Sequence, residues 1–415
     1  MTKTRLSEKA VWLNRSTPPH VITLVLLASI SALNMNIFLP SLPGMATYFD
    51  TDYGFMQLAI SGYLGITAVL QLIIGPMSDR YGRRPVLLGG LVIFLLATVG
   101  CIFSQDVGTF LVFRMIQGAV AAGMVLSRAI VRDMVEPWEA ASMIGYITMG
   151  MSLVPMIGPI IGGYLDQNFG WQSSFTLVLV FGLMVLWLIW ADLGETNMQK
   201  SASFKAQFKA YPELIRSRRF WGYALTAGFA SGAFFAFLGG APFVAIELLG
   251  LEPAQMGFYF MFISMGYMFG NFLAGRFSNV IGLNRMMLFG SSIAVAGMLL
   301  ALVLFLVGLQ HPISFFGSIA FVGIGNGMTL PNANAGIVSV RPHLAGSASG
   351  LGGAVMIGGG AGLSAITGAM LAIETGAYPL LYMMLGSSLL AVLTSVYVIY
   401  VAKKSGELGQ KKVVE

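Results

Sequence analysis

Twelve long apolar stretches dominate this chain of 415 residues. A membrane-spanning helix needs about 20 consecutive, mostly apolar residues, and each stretch reaches about that length before a polar, glycine or proline break. We therefore predict an all-α integral membrane protein with twelve transmembrane helices. The predicted spans cover residues 20–41, 55–76, 84–104, 107–131, 138–165, 171–194, 220–246, 255–278, 285–308, 312–335, 345–373 and 378–402.

The amino-acid composition excludes the main classes of soluble protein. Hydrophobic residues make up 56% of the chain and charged residues only 10%, whereas a soluble domain carries about 25% charged residues. One cysteine and three histidines are too few for a disulfide framework, an iron–sulfur centre or a structural zinc site. The sequence also lacks a phosphate-binding loop, a nucleophile elbow and a His-Glu metal motif. We therefore expect no cofactor, no bound metal and no enzymatic activity.

The charged residues are distributed unevenly between the loops. With twelve spans, both termini and the loops after even-numbered spans lie on one side, which holds nearly every Lys and Arg. We call this side the basic end and the opposite side, whose loops contain no Lys or Arg, the acidic end. Because basic loops stay in the cytoplasm, we expect both termini to be cytoplasmic. The basic loops at the membrane surface account for the net charge of +6, so we expect no nucleic-acid partner. The acidic end carries Asp50, Asp52, Asp106, Asp166, Glu247, Glu252 and Glu374.

The two halves of the chain share a loop pattern. Segments 75–84 and 275–285 follow spans 2 and 8 and contain Gly, Ser and Gly at matching places. Similar six-helix halves joined by a basic loop are typical of duplicated transporters. We therefore predict two pseudo-symmetric six-helix bundles. The predicted parts are an N-terminal bundle (1–194), a cytoplasmic linker (195–219), a C-terminal bundle (220–402) and a cytoplasmic tail (403–415).

Several motifs resemble the major facilitator superfamily. Gly75-x-x-x-Asp79-Arg80-x-Gly82-Arg83-Arg84 resembles its signature between spans 2 and 3. Arg114-x-x-Gln117-Gly118 in span 4 and Pro155-x-x-Gly158-Pro159-x-x-Gly162-Gly163 in span 5 resemble motifs of its drug:proton antiporter branch. Shorter stretches at 39–43, 242–247, 331–335 and 345–350 resemble the Bcr/CflA multidrug efflux group. The resemblance implies a proton-coupled exporter that works by alternating access in a bacterial inner membrane.

The loop after span 2 predicts a conformational latch. Gly82 and the arginines after it form a tight basic turn, and Asp79 is placed to face the N-terminus of span 11 near Gly346. A carboxylate at a helix N-terminus is favourable by about 0.3–1 kcal/mol, so this contact would hold the bundles together at the basic end and favour the outward-open state. The arginines have a second explanation, as topology anchors that face phospholipid headgroups. The predicted latch residues are Gly75, Asp79, Gly82, Arg83 and Arg84.

Arg114 is the one charge that we expect well inside the membrane. It lies about 10 Å below the acidic end of span 4, level with Asn34 and Asn36 of span 1. Because a buried arginine needs water or partners, we expect it to face the central cavity, with Gln117 one turn away. Structural hydrogen bonds to span 1 are the alternative. The resemblance places an aspartate where this chain has Asn36, which leaves the proton-coupling residue open and makes Glu247 or another peripheral acid a candidate.

The remaining candidates bring helices together or line a predicted cavity. Glycine and proline allow close helix approach and kinks, and we expect spans 5 and 11 at the interface between the bundles. The span 5 motif consists of Pro155, Gly158, Pro159, Gly162 and Gly163. The predicted substrate cavity contains Asn34, Tyr63, Tyr146, Phe234, Tyr259, Tyr267, Asn326 and Asn332.

These features predict a monomeric secondary exporter of small amphipathic molecules that exchanges them for protons across the bilayer. An uptake permease for a small neutral or anionic solute is the alternative, since a fold does not set transport direction. Because Arg114 would add positive charge to a cavity without a mid-membrane acid, we expect neutral, zwitterionic or anionic substrates to be preferred over permanent cations. We also expect Asn36→Asp to improve cation export.

Overall fold

The computed structural model describes residues 11–134, 137–197, 211–341 and 344–404. Within these ranges the long elements are all helices, and no strand occurs. Eleven helices are long and apolar enough to cross a membrane, and α5 is the twelfth long helix. The helices are α1 (Val21–Tyr48), α2 (Tyr53–Tyr81), α3 (Arg83–Phe103), α4 (Val107–Met134), α5 (Pro137–Phe169), α6 (Gln172–Asp192), α7 (Arg218–Leu248), α8 (Pro253–Ile281), α9 (Leu283–Leu306), α10 (Pro312–Ser339), α11 (Ala345–Met370) and α12 (Tyr378–Lys404).

The twelve predicted spans are confirmed, and the structure extends several of them. α1 continues through a 3-10 turn at Leu39–Ser41 as far as Tyr48. Pro40 and Pro43 permit this because each lies in the first turn of a new helical segment, where a missing N–H breaks no hydrogen bond. α4 contains a short 3-10 segment in its middle and extends to Met134.

The helices form two six-helix bundles, α1–α6 and α7–α12. The main contacts between the bundles pair α5 with α8 and α2 with α11. The expectation that the fifth and eleventh spans lie at this interface is therefore confirmed. Tight packing follows from glycine: a Cβ at Gly257 of α8 would overlap the backbone of Pro159 in α5.

The boundaries predicted for the linker and tail fall partly outside the described residues. α6 ends at Asp192, a short helix occupies Tyr211–Ile215, and α7 begins at Arg218. Residues 198–210 of the predicted linker and 405–415 of the predicted tail lie outside the described ranges.

Candidate functional site

A cavity of about 650 Å³ lies between the bundles and extends from their middle to the basic end. This volume lies within the range of about 300–1,000 Å³ that is typical of sites for drug-sized ligands. Methionines and Phe235 give it apolar walls, while Tyr63, Thr67 and Gln71 form a polar stripe along α2. Tyr211 lies at its mouth, where burial raises the pKa of the hydroxyl. The methionines are Met35, Met124, Met151 and Met356.

Hydrogen bonds between the bundles close the acidic end. Each joins a side chain of the first bundle to a group of the second, and two of the three are fully or nearly fully buried. Because buried hydrogen bonds are costly to break without replacement, these contacts stabilise the closed acidic end. The bonds run from the Tyr53 hydroxyl to the Gly239 carbonyl (2.7 Å), from Gln57 Nε2 to Ser364 Oγ (2.6 Å) and from Gln167 Nε2 to Glu252 Oε2 (2.8 Å).

Two glycines of the span 5 motif allow α5 to touch its neighbours backbone to backbone. A Cβ at Gly162 would overlap the carbonyl of Ile37 in α1, and one at Gly163 would overlap the carbonyl of Pro253 in α8. Gly158 is different, since the atom nearest to its Cβ would be 3.6 Å away. The motif therefore brings together α1, α5 and α8 where the acidic end is closed.

The predicted latch residue Asp79 lies at the mouth of the cavity but pairs within its own bundle. Its carboxylate binds Arg83 at 2.5 Å, and Arg83 also binds Asp133 of α4 at 2.9 Å. Gly75 and Gly346, at the start of α11, line the same cavity. Among the described residues, no hydrogen bond or ion pair joins the Asp79 carboxylate to α11, and the role of Asp79 as a latch stays a prediction.

Gly82 and the arginines after it form the turn that begins α3. Gly82 has a φ of +108°, which L side chains rarely adopt, and a Cβ there would overlap the Glu195 carboxylate. This carboxylate accepts hydrogen bonds from the backbone N–H groups of Arg83 (2.9 Å) and Arg84 (3.3 Å). The Arg84 side chain donates to the Trp190 carbonyl at 3.2 Å. Sequence motifs gave no signal for Glu195, which stabilises the turn from the start of the linker.

Arg114 is fully buried inside the first bundle and does not line the cavity. This corrects the expectation that it faces the cavity, and the structural alternative describes it instead. Its guanidinium lies 4.4 Å from the ring centre of Tyr63, so it supports the cavity wall from behind. Its hydrogen bonds go to Ala59 O (3.0 Å), Asn34 O (3.0 Å), Asn34 Oδ1 (3.0 Å) and Gln117 Oε1 (2.6 Å).

Asn34, and not Asn36, contacts Arg114. Residues two positions apart point about 200° apart on a helix, and Asn36 is buried against α5 near Gly158. Its Nδ2 donates to the Ala32 carbonyl at 2.7 Å. Neither asparagine lines the cavity. The expected gain in cation export by Asn36→Asp therefore loses its basis, which was neutralisation of Arg114 inside the cavity.

Glu247 lies outside the central cavity. It is exposed and lines a separate pocket of about 510 Å³ at the acidic end, together with Asp50, Asp52 and Tyr53. A proton on Glu247 would therefore be exchanged with the solution on that side. Its role in proton coupling stays a prediction.

Of the substrate-cavity residues given in the sequence analysis, Tyr63 is the one that lines this cavity within the described ranges. Phe235 takes the place expected for Phe234, and Asn334 takes that of Asn332. Shifts of one and two residues turn a side chain by about 100° and 200° around a helix, so for these two pairs the correct helix was identified with the wrong face. The predicted residues that do not line the cavity in this state are Asn34, Tyr146, Phe234, Tyr259, Tyr267, Asn326 and Asn332.

Arg128 is a candidate that the sequence analysis missed. The predicted span 4 ends at residue 131, but α4 extends to Met134, so Arg128 lies about 9 Å inside the helix. Its side chain is exposed within the cavity, as is that of Arg132 one turn nearer the mouth. Arg128 is therefore a second charge within a helix long enough to cross a membrane, and the expectation that Arg114 is the one charge well inside the membrane stays a prediction. Two arginines four residues apart in an apolar span were the available signal.

A model of the Major Facilitator Superfamily matches residues 24–365. An uncharacterized MFS-type transporter, YdgK of Bacillus subtilis, is 32% identical over 79% of this chain and 82% of its own length. A bicyclomycin resistance protein homolog of Haemophilus influenzae is 29% identical over 91% of this chain and 96% of its own. A chloramphenicol resistance protein of Pseudomonas aeruginosa is 29% identical over 77% of this chain and 76% of its own length.

The fold also matches solved transporter structures. A crystal structure of a D-xylose-proton symporter superposes with a TM-score of 0.71, over 91% of this chain and 96% of the other, at 13% identity. This match supports the fold alone. The family model and the bacterial relatives show that the chain belongs to the Major Facilitator Superfamily, as a multi-pass membrane transporter similar to the Bcr/CflA drug-efflux group.

Proposed function

We propose that this transporter is a secondary exporter of small amphipathic molecules, driven by antiport of protons and working by alternating access as a monomer. The observation that carries the proposal is the cavity between the bundles, which reaches the basic end while hydrogen bonds close the acidic end. Its mixed polar and apolar lining suits amphipathic ligands. The names of the bicyclomycin and chloramphenicol resistance relatives support drug-like substrates.

An efflux assay in a pump-deficient bacterial host tests the direction of transport. Cells that express the chain are expected to accumulate less chloramphenicol than cells with an empty vector, and a protonophore is expected to remove the difference. Higher accumulation on expression would instead indicate the uptake permease.

The orientation of the bundle decides what the observed state means. The basic end carries nearly all loop Lys and Arg, and such loops stay in the cytoplasm, so the proposal places both termini there and makes this state inward-open. A cysteine introduced by Lys205→Cys, in a Cys101→Ala background, is expected to react with an impermeant thiol reagent in inverted vesicles and to be protected in intact cells. Labelling in intact cells would reverse the orientation.

Asp79→Asn tests the latch that would hold the outward-open state. The substitution is expected to impair transport but not folding, because Asp79 is partly exposed at the cavity mouth. A partly buried carboxylate at a helix N-terminus stabilises by up to about 2 kcal/mol, more than an exposed one. Loss of about 1–2 kcal/mol would shift the ratio of the two states towards inward-open by about 5- to 30-fold. The measurement is the labelling rate of a cysteine introduced by Ser349→Cys in the cavity wall, which should rise. Unchanged labelling and transport would show that Asp79 has no latch role.

A further inference from the structure

We infer that Arg128 is the group in the cavity that binds an acidic moiety of the substrate, so that amphipathic anions and zwitterions are the preferred substrate class. The inference rests on the proposed function, since it names the substrates of the same cavity. Arg114 was expected to supply positive charge to the cavity, but it lies behind the cavity wall. The side chain of Arg128 is exposed inside the cavity and supplies this charge instead.

The acids near the mouth do not neutralise Arg128. Within the described residues, the cavity is lined by three arginines and two aspartates, which leaves one unit of net positive charge. Both aspartates bind Arg83, at 2.5 and 2.9 Å. Arg128 has no ion pair or hydrogen bond in the described part of the chain, so its guanidinium donors are available to a ligand.

The neighbouring charge increases the benefit of an anion at this place. Arg128 and Arg132 are four residues apart on α4 and both line the cavity, and like charges at this helical spacing repel one another. A carboxylate near Arg128 relieves this repulsion and also accepts charge-assisted hydrogen bonds from the planar guanidinium.

The surroundings of Arg128 fit the rest of an amphipathic molecule. Met124 lies one turn deeper on the same helix, and Phe235 of α7 and Met356 of α11 line the cavity as well. Methionine and aromatic side chains adapt to apolar ligands of different shape. A ligand with an aromatic body and one acidic group therefore has partners for both parts.

The test compares two fluorescent probes that differ only in charge. Dansylglycine carries a carboxylate and dansylglycinamide carries a neutral amide in its place. Binding of each is measured to the purified full-length transporter in detergent, with empty micelles as the blank. The wild type is expected to bind dansylglycine about 10- to 100-fold more tightly than the amide, as a hydrogen-bonded charge would give.

Substitutions then assign the preference to Arg128. Arg128→Gln is expected to reduce the ratio of the two affinities to about one, whereas Arg128→Lys should retain part of it. Arg285→Gln is the matched control, because it removes the same charge from an exposed position at the basic end of α9, outside the cavity lining. It should keep the wild-type ratio. Thermal unfolding of each variant confirms that it is folded.

Two results would overturn the inference: equal binding of the probes by the wild type, or an unchanged ratio in Arg128→Gln. The chloramphenicol efflux assay separates this failure from failure of the proposed function. If chloramphenicol is exported but the two probes bind equally, the exporter proposal stands and the proposed binding role of Arg128 is rejected. If chloramphenicol is not exported, the exporter proposal itself is rejected, whatever the ratio of the probe affinities.

Discussion

Replacing Arg114 with leucine is expected to destabilise the first bundle by at least about 3 kcal/mol and to reduce transport at least tenfold. The guanidinium serves oxygens of Ala59, Asn34 and Gln117, and it is fully buried. Each buried acceptor that loses its partner costs about 1–3 kcal/mol. Leucine satisfies none of them and leaves unfilled volume next to Tyr63, whose ring forms part of the cavity wall.

Thermal unfolding of purified variants in detergent measures this effect. Arg285→Leu is the control, because Arg285 is exposed at the start of α9, and its melting temperature should match the wild type. Arg114→Lys should fall between them, since an ammonium keeps the charge but lacks the planar fork that reaches several acceptors. Equal melting temperatures for Arg114→Leu and Arg285→Leu would show that the buried network contributes nothing to stability.

Gly163→Ala is expected to oppose the state seen here. Its new methyl group would overlap the Pro253 carbonyl of α8, so α5 and α8 must separate at the acidic end. Forcing a methyl group into a packed contact costs about 1–3 kcal/mol, and 2 kcal/mol corresponds to about a 30-fold change in the ratio of two states. We therefore expect at least a tenfold loss of transport and slower labelling of the cysteine introduced by Ser349→Cys.

Gly158→Ala is the matched control within the same motif. Its Cβ would have ordinary contacts, with the nearest atom 3.6 Å away, so transport and labelling should stay near wild type. The labelling change in Gly163→Ala is opposite in sign to the rise expected for Asp79→Asn. If both motif glycines tolerate alanine equally, close contact between α5 and α8 is not needed for the transport cycle.

Hydrophobic length was sufficient to predict the helices. Each apolar run of about 20 residues became a long helix, because backbone groups in a membrane must be hydrogen-bonded within the segment. Glycine content also placed the fifth and eleventh spans at the interface, where Gly163 and Gly257 allow backbone contact between α5 and α8.

Helical phase was the main source of error at the site. Arg114 was assigned to the correct depth, but its direction depends on which neighbours offer oxygens, and Asn34 and Ala59 do so inside the bundle. For the same reason, Phe234 was predicted to line the cavity, whereas Phe235 does so in the structure. The predicted span 4 ended three residues before the helix does. This boundary placed Arg128 near the end of the span, although it lies about 9 Å inside the helix. Glu195 could not be found because its partners are backbone N–H groups of a distant turn.

Drug uptake into proteoliposomes under an imposed pH gradient tests the central proposal most directly. Chloramphenicol is a suitable probe because it is uncharged and a pH gradient alone does not concentrate it. Antiport predicts accumulation when the lumen is acidic, whichever way the protein is inserted, and loss of accumulation when an ionophore collapses the gradient. Accumulation driven by an alkaline lumen would indicate symport, and uptake that ignores the gradient would exclude proton coupling; either result would contradict the proposal of a drug:proton antiporter.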